Sequence, residues 1–104
     1  MAAYVIAQMH VHDPKIYAEY AAKIPPTVAP YGGKILAAND VDVREGSPPY
    51  PRTVIGEFPT LEVAQTWYES DAYQAVLPLR LASTTGMLFI VEGLTMPQVP
   101  HPEP

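Results

Sequence analysis

The chain has no cysteine, which excludes disulfides, thiolate nucleophiles and cysteine-ligated zinc or iron–sulfur centres. Charge is scarce as well: Asp, Glu, Lys and Arg make up only 16% of the residues, and the six basic ones are scattered singly. With 11 acidic residues the net charge is −5, so no basic stripe can follow a phosphate backbone and nucleic acid is not expected as a partner. No stretch approaches the roughly 20 apolar residues of a membrane-spanning helix, so no membrane partner is expected either. The first residues do not carry a basic region followed by a long apolar run. No signal peptide is read there, and a cytoplasmic location is the default expectation.

What is present is apolar. Apolar residues make up 48% of the 104, too many for a disordered chain and enough for the core of one domain without metal or disulfide staples. So little charge beside so much apolar side chain also implies that some surface is covered by a partner.

Ala3 to Val11 reads as a first strand, with Val5, Ala7, Met9 and Val11 on one parity and Tyr4, Ile6, Gln8 and His10 on the other. Asp13-Pro14 opens a helix, since Asp accepts from orphan N–H groups and Pro is tolerated at the first helical position. Ile16, Tyr17, Tyr20, Ala21 and Ile24 form its buried stripe; Pro25-Pro26 ends or kinks it, and a short helical turn leads to Pro30. Tyr31-Gly32-Gly33 turns the chain into a second strand from Lys34 to Glu45, interrupted near Asn39-Asp40 by a bulge or local turn. A loop rich in proline at 46–51 leads to a third strand, Thr53 to Phe58. Thr60 caps a second helix whose inner face is Leu61, Ala64, Trp67 and Tyr68. Ser70 caps a further short helix carrying Tyr73, Val76 and Leu77, which Pro78 restarts through Arg80 and Leu81. Met87 to Glu92 is the last strand. Residues 1–94 thus form one domain, and 95–104 read as a proline-rich tail, extended or disordered, or laid across a neighbouring subunit.

The order β-α-β-β-α-β predicts an α+β fold of the ferredoxin-like type, a four-stranded antiparallel sheet with both helices on one face. The last strand is apolar on both parities, Met87, Phe89 and Val91 against Leu88 and Ile90, as for a strand buried on both sides. Tyr4, Ile6, Leu88 and Ile90 are assigned to the face the helices leave bare, and a second copy of the chain is the simplest cover for it. A homodimer is therefore expected.

Asp13-Pro14 with Tyr17 and Tyr20, Tyr31-Gly32-Gly33-Lys34, Glu45-Gly46, Arg52, Glu57-Phe58-Pro59, Ala64, Trp67-Tyr68, Ser70, Tyr73, Arg80 and Glu92-Gly93 together resemble the family called domain of unknown function 1330, from Tyr4 to Gly93. The resemblance implies the dimeric α+β barrel superfamily, in which two such sheets face each other. That superfamily includes cofactor-free monooxygenases, lactone isomerases, heme enzymes and proteins without established activity, and fold likeness does not choose among them.

His10 and His12 share a parity, but no third ligand is spaced to join them and Asp13 is better used as a cap, so no metal site is expected. His10 and Glu57 are the candidate catalytic groups. An imidazole titrates near neutral pH, and a carboxyl near a strand end becomes a base if buried. The competing reading pairs Glu57 or Glu92 with Arg52 or Arg80. Arg80, one of few charges in an apolar stretch, is a candidate clamp for a ligand carboxylate or enolate. Tyr20 and Tyr68 are the tyrosines chosen to face a cavity, because a buried hydroxyl needs a partner. No cofactor is assigned, although the resemblance also brings heme through a histidine as a third reading. The two principal readings are a cofactor-independent enzyme acting on a small, partly apolar, carboxylated or enolisable molecule, and a non-catalytic dimeric ligand-binding or structural module.

Overall fold

The computed structural model describes residues 1–94, so the proline-rich tail read at 95–104 lies outside the described residues. The elements are β1 (Ala3–Val11), α1 (Pro14–Val28), a 3-10 turn (Ala29–Tyr31), β2 (Lys34–Asp40), β3 (Arg52–Phe58), α2 (Leu61–Glu69), α3 (Asp71–Ser83) and β4 (Thr84–Glu92). The strands form one antiparallel sheet in the order β2-β3-β1-β4, the ferredoxin-like arrangement read from the sequence. The helices begin where capping residues stand: Asp13 accepts from the Ile16 N–H at 3.2 Å, Thr60 from Val63 at 3.1 Å and Ser70 from Tyr73 at 3.2 Å.

Prolines break the helices less than local rules predict. α1 continues through Pro25 and Pro26 to Val28, and α3 runs unbroken through Pro78. Each proline removes one helical donor, but tertiary contacts hold the end of α1. The Trp67 indole N–H donates to Thr27 Oγ1 at 3.1 Å, and that hydroxyl donates to the Ile24 carbonyl at 2.7 Å. β2 stops at Asp40 instead of reaching Glu45, and its register irregularity lies between Ile35 and Ala37, not at Asn39-Asp40. Val41 and Val43 are exposed and have no layer to pack on, so alternation alone does not extend the strand. β4 starts at Thr84, directly from α3, where Gly86 is required: a Cβ there would lie 2.6 Å from Met9 Cα on the paired strand.

Ala3, Val5, Ala7 and Met9 of β1 point into the core with Phe58, Trp67 and Tyr73. The register then corrects the reading of β4. Ala7 pairs with Leu88 and Val5 with Ile90, so Leu88 and Ile90 share the helix-facing side. The bare face carries Tyr4, Ile6 and Ile55 with Met87, Phe89 and Val91, the last three 41%, 42% and 47% exposed. Apolar cover is still wanted on that face, through the other parity of the strand.

Candidate functional site: a cavity between the first helix and the sheet

Small side chains open a space under α1. Across the middle of the sheet, Ala38, Val54, Ala7 and Leu88 lie in one cross-strand row, and Ile35, Gly56, Val5 and Ile90 in the next. Two alanines and a glycine at these inward positions leave the helix standing off its floor. The result is a cavity of about 280 Å³, roofed by Tyr17, Tyr20, Ile24 and Val28 and closed at the back by Phe58 and Trp67. It opens past the edge strand, where Ile35 and Ala38 line the cavity yet remain exposed.

Four side chains in this wall carry polar groups: Tyr17, Tyr20, Arg52 and Trp67, whose indole N–H is already taken by Thr27. The Tyr20 hydroxyl lies 3.0 Å from that of Tyr73, which is fully buried. Burial, then the neighbouring Tyr73, push Tyr20 well above the ordinary phenol range, so it stays protonated and hydrogen-bonds as a neutral phenol. Arg52 leaves β3 on the same face as Val54 and Phe58 and sets its guanidinium 5.7 Å over the Tyr17 ring. Its Nε is buried without a hydrogen-bond partner. A second, open cleft of about 410 Å³ adjoins the cavity; Met9, Tyr17 and Arg52 line both, while His10, Asp40 and Pro51 line only the cleft.

The residues singled out from the sequence are dispersed. Tyr20 lines the cavity. Tyr68 packs against Trp67 and Tyr73, with ring centroids 6.3 Å and 5.2 Å away, and is not part of the cavity wall. Arg80, only 6% exposed in the last turn of α3, lines neither space and has a buried Nε without a partner. His10 is exposed at the outer cleft. Glu57 lies on the bare face, opposite Tyr4, and pairs with Lys34 at 3.7 Å, so the expected Arg52 or Arg80 partnership gives way to a cross-strand lysine. Among the described residues no three of His, Asp and Glu gather as a metal site, and no helix is long and apolar enough to cross a membrane. From the sequence, Arg52 reads only as an ion-pair partner. The signal for more was its parity, shared with Val54, Gly56 and Phe58 on the core-facing side of the strand.

A family model described as "Domain of unknown function (DUF1330)" matches residues 2–94. Comparison with curated proteins gives no significant match. Among solved structures, the chain is similar to a protein of unknown function from Rhodopseudomonas palustris (15% identity, 91% of this chain and 84% of that one, TM-score 0.73). It is also similar to a dimeric ferredoxin-like protein of unknown function from Jannaschia sp. CCS1 (12% identity, 89% and 100%, TM-score 0.67). A third is SnoaB, a cofactor-independent oxygenase from Streptomyces nogalater (11% identity, 91% and 95%, TM-score 0.65). At these identities the likeness is one of fold.

Proposed function

The chain belongs to the family described as domain of unknown function (DUF1330), and within it we propose that this protein binds a small, partly apolar molecule in the cavity between α1 and the sheet, as a homodimer joined through the bare sheet face. One observation carries the reading: a cavity of about 280 Å³ whose lining is mostly apolar, with a few polar groups from Tyr17, Tyr20 and Arg52. Small-molecule sites have that make-up and span roughly 300–1,000 Å³, so the ligand is at the small end of the range. The dimer rests on the apolar bare face around Ile6 and Phe89, and the Jannaschia neighbour, described as dimeric, supports it.

A second reading makes the same pocket a cofactor-independent enzyme for an enolisable molecule. Its support is Arg52, a cation able to stabilise an enolate oxygen and set in the same cavity wall as Tyr20, together with the fold shared with an oxygenase described as cofactor-independent. Glu57 stands on the bare face and His10 in the outer cleft, so in this reading the His10 imidazole is the base that accepts the substrate's proton.

Filling the cavity tests the binding reading. Val54 sits between Ala7 and Ala38, so Val54→Phe occupies the space with little to displace. Small aromatic and branched aliphatic compounds should raise the melting temperature of the native protein, by about 2.7 kcal/mol of stability at a hundred times Kd. They should leave folded Val54→Phe unaffected. An equal response in both proteins, or none in the native one, overturns the reading.

A further inference from the structure

Resting on the cavity reading, we infer that the ligand is an anion, an aromatic or branched aliphatic monocarboxylate whose carboxylate is held by Arg52 at the neck between the inner cavity and the outer cleft.

The register places Arg52 opposite Met9 of β1 and Asp40 of β2, at the end of the cavity floor. Asp40 is the carboxylate nearest to hand in that row, yet the ion pairs among the described residues are Lys34–Glu57 and Arg44–Asp42. The guanidinium turns instead toward α1 and rests over Tyr17, leaving a buried Nε with no acceptor. A desolvated donor on a cation is costly when unpaired. An incoming acceptor is therefore rewarded at Arg52, the charged side chain of a largely apolar wall. Because Met9, Tyr17 and Arg52 border both spaces, the anchor stands where apolar surroundings meet solvent. A ligand fits this polarity with its hydrocarbon body under α1 and its charged end at the neck.

The charge pattern also selects the anion. A guanidinium fork matches a carboxylate in two parallel hydrogen bonds. A phosphate monoester would bring about two charges to a cleft that already holds Asp40, on a chain of net charge −5. Single charge and planar geometry favour the carboxylate. At about 280 Å³ the cavity has nearly twice the roughly 150 Å³ that takes one benzene ring, so a hydrocarbon part of one or two rings or a branched chain fits.

The test uses matched acids and amides on the full chain: 3-phenylpropanoate with 3-phenylpropanamide, and 4-methylpentanoate with its amide, titrated by calorimetry or NMR at neutral pH. The native protein should bind at least one acid roughly 10- to 100-fold more tightly than its amide, the range expected for a charge-assisted hydrogen bond. Arg52→Met should bind acid and amide alike, near the native affinity for the amide, and Arg52→Lys should keep part of the preference. Equal binding of acid and amide by the native protein overturns the anion assignment and leaves the cavity standing. So does a preference for acid that survives in Arg52→Met. If no acid or amide binds at all, the cavity reading falls and takes this inference with it. The native acid–amide comparison decides the matter even if a variant fails to fold.

Discussion

Removing either member of the Tyr20–Tyr73 hydroxyl pair should be costly, while removing both should cost less than the sum. The two hydroxyls lie 3.0 Å apart, both residues are buried, and neither hydroxyl has another hydrogen bond among the described residues. Tyr20→Phe strands the Tyr73 hydroxyl, and Tyr73→Phe strands that of Tyr20. Each should therefore cost about 1–3 kcal/mol, the penalty for a buried polar group left unsatisfied. The double variant leaves no orphan, and its loss should fall short of the summed single losses by at least about 0.5 kcal/mol. Urea unfolding measures all four corners of the cycle, and each kcal/mol should also move the melting temperature by roughly 4–8 °C. The pair also predicts a pH effect. Burial and Tyr73 hold Tyr20 above its ordinary value of 10.0, so the folded state keeps a proton that the unfolded state loses. This contribution is complete below about pH 10 and is lost as pH rises past that value toward the folded-state one, and Tyr20→Phe should remove that part of the alkaline decline. Additive single losses, or an alkaline profile unchanged in Tyr20→Phe, would refute the reasoning.

Three further perturbations test other parts of the structure. Gly86→Ala forces a methyl against Met9 and the Gln8 carbonyl and should destabilise by about 1–3 kcal/mol or more in urea; a change below about 0.5 kcal/mol would mean the two strands separate easily there. Thr27→Val keeps the shape but strands the Trp67 indole N–H, costing about 1–3 kcal/mol, and tryptophan fluorescence should report the altered surroundings. Phe89→Asp puts a charge in the middle of the bare face and should yield a folded monomer by light scattering; a surviving dimer would place the interface elsewhere.

The element order was legible because its markers are local. Asp13, Thr60 and Ser70 announce helix starts, and alternation in β1 separates core from surface. Proline misled for the same reason: Pro25, Pro26 and Pro78 each speak for a break locally, while the contact between Trp67 and Thr27 that overrides the first two joins residues far apart in sequence. The facing of β4 was not legible at all. Met87, Phe89 and Val91 are as apolar as Leu88 and Ile90, and only pairing with Ala7 and Val5 decides which set turns inward. Glu57 shows the same dependence on register, since Lys34 is its cross-strand neighbour only once β2 and β3 are aligned.

Tyr20 pointed to a cavity, but its floor was not legible for a different reason: it is made by bulk that is missing. Ala7, Ala38 and Gly56 read as ordinary small residues until the register brings them under one helix. Arg52 does leave a trace, as a cation on the apolar parity of its strand, but in sequence alone ion pairing explains it equally well.

Amide chemical-shift mapping with an isotope-labelled native chain tests the cavity most directly. Titration with 3-phenylpropanoate should move the resonances of Met9, Tyr17, Tyr20, Arg52 and Val54 together, saturating as a single site. Shifts confined to Tyr4, Ile6 and Phe89 on the bare face, or none up to saturation of the probe, would contradict the assignment of the α1–sheet cavity as the binding site.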